Sequence, residues 1–187
     1  MEVKKQAKLN ENVERIMIPA EQISARVKEL AAQLDKLYEG RTPVVVCILK
    51  GSVMFFADLI REMKTPLQID FMAVSSYGKD TISSGKLQVK KDLTVNISGK
   101  DVLIVEDIID SGNTLYQLKK MLNTRSPNSV NIVTLLDKPE RREVPMEPEY
   151  TGFVIEDEFV VGYGLDYAEE YRNLPYVGVL KRSVYEK

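Results

Sequence analysis

The fold is indicated by one stretch of the sequence, Val102-Leu103-Ile104-Val105-Glu106-Asp107-Ile108-Ile109-Asp110-Ser111-Gly112-Asn113-Thr114-Leu115. It begins with four apolar residues in a row, a pattern typical of a strand that is buried on both faces of a parallel sheet. Two carboxylates and two isoleucines follow, and then a polar turn. In that turn Gly112 permits a tight bend, and Ser111 or Asn113 can cap the helix that we predict at 113–123.

The predicted turn combines a phosphate-binding feature with two acids. The start of a helix offers free N–H groups and the positive end of the helix dipole, and both attract phosphate. Glu106 and Asp107 would repel a bare phosphate, so the two features together suit a ligand that also carries hydroxyl groups or a divalent cation. A sugar phosphate bound with magnesium meets this description. Because neighbouring strand residues point to opposite faces, we expect the backbone to leave strand geometry before both acids can reach one ligand.

Apolar runs and helical periodicities alternate along the rest of the chain. Pro19 is expected in the first turn of a helix that extends to about Tyr38, with Gly40 as its stop. Residues 1–17 are expected to be irregular or loosely paired, and the run 140–143 is expected to be an exposed loop whose charges compensate one another. We further predict a helix that ends near Met63, and strands at 44–49, 67–74, 87–95, 102–105, 130–136, 151–155, 159–163 and 176–180.

Strands that alternate with helices predict an α/β fold, with a mostly parallel sheet flanked by helices and right-handed crossovers. In such a sheet the carboxyl ends of the parallel strands share one edge, where open α/β sheets bind ligands. Three of the predicted strands end in polar sequence, at Lys50, at 106–114 and at Lys138. We therefore expect these three segments to converge at one edge of the sheet.

The composition limits the class of function. The chain has 187 residues, of which 44% are hydrophobic and 29% charged, and these values suit one globular domain with its own core. Its net charge of −2 argues against nucleic-acid binding as the main function. No apolar run approaches the ~20 residues that cross a bilayer, and the N-terminus lacks a signal-peptide core, so no membrane association is expected.

The cysteine and histidine content narrows the chemistry. The single cysteine, Cys47, excludes a disulfide within the chain and fits a reducing, cytoplasmic location. The sequence contains no histidine, which excludes Ser-His, Cys-His and His-metal mechanisms. Any acid–base chemistry must therefore fall to Asp, Glu, Lys or Tyr.

One segment, residues 75–86, is the most loop-like part of the sequence. It contains serines, two glycines and charged residues, with few apolar anchors. Its composition suits a solvated hairpin connection and a mobile lid over a site equally well.

The acidic pair followed by Asp-Ser-Gly-Asn-Thr at 110–114 resembles the phosphoribosyl-pyrophosphate motif of the type I phosphoribosyltransferases. Other segments occur in the order that the hypoxanthine-guanine branch of that family uses, and the length resembles its compact bacterial form. They lie at 49–52, 76–78, 136–138, 159–167 and 171–175, so the resemblance covers roughly residues 10–182. It implies the type I phosphoribosyltransferase fold in one domain over 1–187, with a core at about 40–155 and a small hood subdomain from about 1–18 and 156–187.

The resemblance implies a purine-salvage enzyme. Its reaction would transfer the 5-phosphoribosyl group from phosphoribosyl pyrophosphate to hypoxanthine or guanine, giving IMP or GMP and pyrophosphate, with Mg²⁺ as cofactor. Its partners would be these small molecules and further copies of the chain in a homodimer or homotetramer. The alternatives are a xanthine-preferring relative and a non-catalytic regulator that senses phosphoribosyl pyrophosphate. A P-loop protein is disfavoured because G-x-x-x-x-G-K-[ST] is absent from the sequence.

The resemblance also implies roles for individual residues. Asp110 would be the general base that removes a proton from a purine ring nitrogen, although an aspartate here could equally be a helix N-cap. Glu106 and Asp107 would hold the ribose hydroxyls and magnesium, and Asp166 a second magnesium and the base edge. The remaining implied roles are 5′-phosphate binding by Ser111, Gly112, Asn113 and Thr114, pyrophosphate binding by Lys50, Gly51 and Arg172, recognition of the 6-oxo group by Lys138, stacking on the base by Phe159, reading of the base edge by the Val160 backbone, and closure over the site by Ser76 and Tyr77.

Several of these side chains also have an ordinary structural interpretation. Lys138 could be a surface lysine that follows a strand, and Phe159 could be a core residue. Asp166 or Arg172 could be half of a surface ion pair. The resemblance further implies a cis peptide bond after Leu49.

Overall fold

The computed structural model describes residues 9–76 and 87–186 of the chain. Strands and helices alternate along most of these residues, as the sequence predicted. The elements in chain order are β1 (Val13–Ile18), α1 (Ala20–Leu37), β2 (Val44–Leu49), α2 (Val53–Glu62), β3 (Gln68–Ser76), β4 (Leu87–Lys91), β5 (Asp101–Ile109), α3 (Asn113–Asn123), β6 (Ser129–Asp137), a 3-10 helix (Pro139–Arg141), β7 (Tyr150–Val154), β8 (Val160–Val161), β9 (Val177–Leu180) and α4 (Arg182–Tyr185).

The larger sheet has six strands in the order β4-β3-β2-β5-β6-β7. Neighbours from β3 to β7 pair in parallel, and β4 pairs antiparallel with β3 at one edge. The predicted α/β fold with a mostly parallel sheet is therefore confirmed. Because β5 lies between β2 and β6, the carboxyl ends of these three strands lie side by side.

The central strands are apolar along their whole length because both faces of the sheet are covered. On β2, Val45 and Cys47 pack in one apolar layer with residues of α1 and α2. Val44 and Val46 pack in the opposite layer with residues of α3. Helix α1 buries Ile23, Val27, Leu30, Ala31 and Leu34, a spacing that places them on one face of the helix.

A second sheet of three antiparallel strands, in the order β1-β9-β8, joins the two ends of the described chain. Val13 pairs with Leu180 and Val160 pairs with Val179. The expectation that residues 1–17 are irregular or loosely paired is therefore wrong from Val13 onward, because β9 supplies a partner from the far end of the chain. The predicted division into a core and a hood subdomain stays a prediction.

Several element boundaries differ from the predicted ones. Pro19 is the residue before α1 and not part of its first turn. The strand predicted at 159–163 is shorter, since Gly162 has a φ of 96° and turns the chain. None of the described helices is long and apolar enough to span a bilayer.

The strand predicted at 87–95 ends at Lys91 because a buried carboxylate takes up the N–H groups that follow. Asp70 on β3 is 3% exposed. One of its oxygens accepts hydrogen bonds from the backbone N–H groups of Thr94, at 2.6 Å, and Val95, at 2.8 Å. The other accepts from the N–H of Phe71 at 2.8 Å. Burial alone would raise the pKa of Asp70, but these hydrogen bonds outweigh it and lower the pKa below the ordinary value.

We expect Asp70→Asn to lower the free energy of unfolding by about 1–3 kcal/mol at pH 7, because the amide group turns an N–H donor toward other N–H donors. Since the folded-state pKa is depressed, the stability from Asp70 is present above the unfolded-state pKa and is lost as the pH falls through the folded one. The difference between wild type and variant should therefore shrink below about pH 4. Urea unfolding across this pH range measures it.

Asp92→Asn is the matched control for this substitution. Asp92 forms its ion pair with Arg125 at the surface, where the carboxylate side chain is 49% exposed. Loss of an exposed pair should change the free energy of unfolding by less than about 1 kcal/mol. Equal effects at the two positions would contradict the account of Asp70.

Candidate active site

A cavity of about 400 Å³ opens at the carboxyl ends of β2, β3 and β5. This is the edge at which the sequence predicted a ligand site. The polar residues that line it come from separate parts of the chain, namely Lys50 and Gly51, Ser75, Glu106 and Asp107, the turn residues Asp110, Ser111, Gly112 and Thr114, and Asp166 and Arg172.

Lys138 lies beside this cavity without lining it. In the sheet, Ile109 is paired with Asp137, and the N–H of Lys138 donates a 2.9 Å hydrogen bond to the carbonyl oxygen of Ile109. The expected convergence of Lys50, the 106–114 turn and Lys138 at one edge of the sheet is therefore confirmed.

The two acids lie within β5 and not beyond its end. The strand continues to Ile109, with Glu106 paired to Thr134 and Ile108 paired to Leu136 of β6. Glu106 and Asp107 nevertheless both line the cavity. The expectation that the backbone must first leave strand geometry is wrong, because parallel pairing with β6 holds the strand in place past both acids.

Asp107 fits against the turn after β2 because that turn has a glycine. A Cβ atom added to Gly51 would lie 1.6 Å from the Asp107 Oδ2 atom. Gly51 is in turn approached by Gly164, where an added Cβ would lie 1.9 Å from the Gly51 carbonyl oxygen. The Leu49–Lys50 peptide bond between β2 and this turn is cis, as the resemblance implied.

Both carboxyl groups of the acid pair, Glu106 and Asp107, have raised pKa values. Burial, with the charge of Asp107 adding to it, raises the pKa of Glu106 well above its ordinary value. Burial also raises the pKa of Asp107 to about 6, although the N–H of Ile108 donates to its carboxylate at 2.9 Å. One buried oxygen of Glu106 has no hydrogen-bond partner among the described residues. Two adjacent half-buried carboxylates, one with an oxygen that has no hydrogen-bond partner among the described residues, fit a divalent cation.

The described residues do not form a metal site by themselves. No group of three or more Asp, Glu, Cys or His side chains within 9–76 and 87–186 is arranged to hold a metal ion. Magnesium commonly binds through one or two carboxylates and completes its coordination with water and substrate phosphates. The acid pair therefore suits magnesium that arrives with a phosphorylated ligand.

The turn after β5 leads directly into α3. Gly112, with a φ of 80°, occupies the N-cap position, and α3 begins at Asn113. Neither Ser111 nor Asn113 is the N-cap residue, since the left-handed turn needed there places the glycine at that position. The Ser111 hydroxyl nevertheless accepts a 3.4 Å hydrogen bond from the N–H of Asn113, the first residue of the helix. Gly112 and Thr114 line the cavity, so the start of the helix faces it and can attract an anion.

Asp110 is not an N-cap either. It lies two residues before the cap, and its Oδ1 atom accepts a 2.9 Å hydrogen bond from the Arg141 side chain. Its backbone carbonyl oxygen accepts a second bond, from Arg142, at 2.6 Å. The described residues place no partner on its other carboxylate oxygen, which is therefore free to meet a ligand.

The charged run 140–143 contacts this turn through its side chains. The prediction of exposure is right for Glu140, Arg141 and Glu143, and Arg142 is half-buried. The prediction that the charges of this run compensate one another is wrong. Arg141 pairs with Asp110, Arg142 with Asp137, and Glu143 accepts from the Asn113 side chain at 2.6 Å. The strand end and the turn, which the parallel sheet places beside the run, supply the acids that neutralise its two arginines.

Lys138 is buried, 7% exposed, so it is not an ordinary surface lysine. Its ammonium group donates to the Glu158 carbonyl oxygen at 2.7 Å and pairs with Asp157 at 3.2 Å. Phe159, which follows Glu158 in the sequence, is 39% exposed and stacks on Tyr185 with ring centroids 4.8 Å apart. Val160 is buried at the start of β8.

Asp166 and Arg172 are both cavity residues and partners of each other. Arg172 pairs with Asp166 at 2.8 Å and donates to the Gly164 carbonyl oxygen at 2.7 Å. Lys50 lines the same cavity and pairs with Glu169 at 3.0 Å. Asp166 and Arg172 thus form an ion pair with each other, which is the structural role considered above, and both also face the cavity, as a functional role requires.

The predicted covering residues are only partly described. Ser76 ends β3 and follows Ser75, which lines the cavity. Tyr77 and the rest of the predicted lid, up to residue 86, lie outside the described residues. Their role in closure stays a prediction.

Comparison with known proteins agrees with this geometry. A family model described as the phosphoribosyl transferase domain matches residues 18–168. The chain is 50% identical to the hypoxanthine-guanine phosphoribosyltransferase of Bacillus subtilis over 178 residues, which are 95% of this chain and 99% of that protein. A crystal structure of a hypoxanthine phosphoribosyltransferase from Staphylococcus aureus matches with a TM-score of 0.93 and 52% identity, covering 96% of this chain and 97% of that one. The chain belongs to the phosphoribosyltransferase family.

Another relative is much longer than this chain. The chain is 49% identical to the bifunctional protein TilS/HprT of Listeria innocua over 179 residues. The matched residues make up 96% of this chain but only 28% of the length of that relative. Within the family, the predicted likeness to the hypoxanthine-guanine branch and its type I fold is confirmed by the relatives and the solved structure together.

The sequence analysis missed several residues of this site. Among them are Arg141, Arg142 and Asp157, which contact predicted site residues through their side chains. The signal for the two arginines was present, since a paired Arg-Arg directly after a strand end lies at the ligand edge of the sheet. Asp157 had no such signal, because its contact with Lys138 spans a loop and β7.

We expect Asp107→Asn to raise the free energy of unfolding of the magnesium-free protein at pH 7 by about 1–3 kcal/mol. Because the folded-state pKa of Asp107 is raised to about 6, the folded state holds its proton where the unfolded state has lost it. Wild-type stability should therefore fall as the pH rises from about 4 through 6, and the fall should be smaller in the variant, where Glu106 is the one acid of the pair that still titrates. Thermal unfolding in a chelating buffer measures it.

Asp92→Asn serves as the control of opposite sign. The hydrogen bond from Arg125 lowers the pKa of Asp92, so removing that charge should not stabilise the protein. Added magnesium should narrow the gap between wild type and Asp107→Asn, since a bound cation relieves the buried charge. A wild type more stable than Asp107→Asn in the chelating buffer would contradict the account of the acid pair.

Proposed function

We propose that this chain transfers the 5-phosphoribosyl group from phosphoribosyl pyrophosphate to hypoxanthine or guanine, giving IMP or GMP and pyrophosphate in purine salvage. The observation that carries the proposal is the meeting of three groups at one sheet edge: the half-buried acid pair, the helix start at Gly112 and the buried Lys138. Relatives about half identical over nearly the whole chain are named hypoxanthine-guanine phosphoribosyltransferases.

The sugar-phosphate end of the donor would occupy the cavity. The 5′-phosphate would lie at the start of α3, where Ser111, Gly112, Asn113 and Thr114 offer N–H groups and hydroxyls. Glu106 and Asp107 would accept hydrogen bonds from the ribose hydroxyls and hold one Mg²⁺, and Asp166 would hold a second one. When bound, magnesium would neutralise charge on the pyrophosphate group as it leaves.

The pyrophosphate would meet the cations on the other side of the cavity. Lys50 and the Gly51 N–H follow β2, and Arg172 faces the same space. Glu169 pairs with Lys50 and Asp166 pairs with Arg172, and these ion pairs hold the two cationic side chains in place. Arg172 suits this role because its forked donors match phosphate oxygens. Ser76 and Tyr77 would cover the reacting carbon and keep water out.

The purine would lie beside the turn, between Lys138 and Phe159. Lys138 would donate to the 6-oxo group, the exposed ring of Phe159 would stack on the base, and the backbone of Val160 would read its edge. The bond from the purine nitrogen to the anomeric carbon forms as the bond to pyrophosphate breaks. The free carboxylate oxygen of Asp110 accepts the proton that the nitrogen loses.

Other parts of the assignment stay predictions. These are the homodimer or homotetramer, the cytoplasmic location, the absence of nucleic-acid and membrane partners, and the relative use of hypoxanthine, guanine and xanthine. Size-exclusion chromatography with light scattering would measure the oligomer. Incubation with phosphoribosyl pyrophosphate, magnesium and each purine in turn would identify the nucleotides formed.

Asp110→Asn should fold normally and lower kcat by about 10²–10⁴-fold, the usual contribution of a positioned general base. The amide keeps the shape of the side chain but cannot accept a proton. Steady-state kinetics with hypoxanthine measure the loss, and circular dichroism checks the fold. Unchanged turnover would remove the role of Asp110. Wild-type binding of phosphoribosyl pyrophosphate without nucleotide formation would favour the regulator instead.

Lys138→Gln should reduce the preference for hypoxanthine over adenine by about 10–100-fold, the factor expected when a hydrogen bond to a charged group is lost. The ratio of kcat/KM values for the two purines measures this preference. Lys100→Gln is the matched control, because Lys100 donates to Gln68 at the opposite edge of the sheet, away from the cavity. An unchanged preference in Lys138→Gln would remove the role of Lys138.

A further inference from the structure

A chain of alternating charges connects the two groups assigned to the purine. Asp110 accepts from Arg141 at 2.9 Å, and Arg141 also pairs with Asp157 at 3.4 Å. The second oxygen of Asp157 pairs with Lys138 at 3.2 Å. Asp110 and Lys138, which come from different strand ends, are therefore joined through two side chains that have no assigned function.

Asp157 is the anionic partner of a lysine that burial has deprived of water. Lys138 is 7% exposed, and among the described residues Asp157 is the carboxylate paired with it. An ammonium group has three donors, and two of these are taken by Asp157 and by the Glu158 carbonyl oxygen. One donor remains for a ligand, and its direction is set by the two that are fixed.

Arg141 sets the other end of the chain. Its guanidinium is a rigid planar group, so the two nitrogens that contact Asp110 and Asp157 are held at a fixed spacing. Contact through Oδ1 of Asp110 leaves the second oxygen of that carboxylate turned away from Arg141. Asp157 thus acts on both purine-binding groups, on Lys138 directly and on Asp110 through Arg141.

We propose that Asp157 is a positioning residue for the purine, which it serves by aiming the free donor of Lys138 and, through Arg141, the free oxygen of Asp110. The inference rests on the proposed function, since it assigns Lys138 and Asp110 to the purine. It adds a specificity role for two residues, Asp157 and Arg141, that lie outside the predicted site.

The exposure of these side chains separates positioning from folding. Asp157, Arg141 and Asp110 are each about half exposed. Ion pairs with that exposure add little to folding stability because solvent screens them. Substitutions of Asp157 or Arg141 in this series of ion pairs should therefore change how substrate is bound and turned over, with little change in the melting temperature.

The test uses the full chain and compares Asp157→Asn with Asp92→Asn. Both substitutions remove a half-exposed carboxylate that pairs with an arginine, but Asp92 lies away from the cavity. We expect Asp157→Asn to raise KM for hypoxanthine by about tenfold and to leave KM for phosphoribosyl pyrophosphate within about twofold. Asp92→Asn should change neither value, and the melting temperatures of the two variants should agree.

A second variant, Arg141→Gln, separates the effect of Asp157 on Lys138 from its effect on Asp110. It removes the contact to Asp110 and leaves Asp157 on Lys138, so kcat should fall by about threefold to tenfold with a smaller change in KM for hypoxanthine. Because both variants act on one connected chain, the double variant should lose less than the product of the single effects.

The outcomes distinguish this inference from the proposed function. Wild-type turnover with Asp157→Asn indistinguishable from Asp92→Asn would overturn the positioning role and leave the proposed function standing. A matching rise in both KM values together with a lowered melting temperature would assign Asp157 to folding and also overturn it. Absence of nucleotide formation by the wild type with any purine would overturn both.

Discussion

The parallel register of β2, β5 and β6 is the constraint on which the site depends. Val44 of β2 pairs with Val102 of β5, and Asp101 of β5 pairs with Ser129 of β6, so the three strands run side by side toward the same edge. Apolar side chains cover both faces of these strands and fix that register, because a slip by one residue would exchange the two layers. This packing brings Lys50, the acid pair of Glu106 and Asp107, the 110–114 turn and Lys138 to one edge of the sheet.

The same packing forces an unfavourable arrangement at the end of β5. Continued pairing with β6 keeps Glu106 and Asp107 in the strand, where burial raises the pKa of both carboxyl groups. A buried charge without a partner lowers stability, and such groups persist where function needs them. The glycine contact beneath Asp107 shows how closely the surrounding chain is fitted to this carboxylate, since any side chain at Gly51 would occupy its place.

The features that could be predicted from the sequence are those carried by local patterns. Apolar runs gave the strands, helical spacing gave α1 and α3, and the polar residues at the strand ends gave the site edge. The features that could not be predicted depend on contacts between distant residues. The partner of β1 is β9, about 160 residues later, and the end of β4 is set by Asp70. The run at 140–143 balances its own charges in sequence, so the fold alone determines that Asp110 and Asp137 neutralise its arginines.

The two sides of the site differ in how their charges are balanced. On the side of the sugar and phosphates, the acids outnumber the cations, and both Lys50 and Arg172 are already paired with acids. That side is complete only with an added cation, which a magnesium-bound donor supplies. On the side of the base, Lys138, Asp157, Arg141 and Asp110 alternate in sign and neutralise one another. A neutral side suits an uncharged purine, because the base then meets oriented donors and acceptors without a net field opposing its entry.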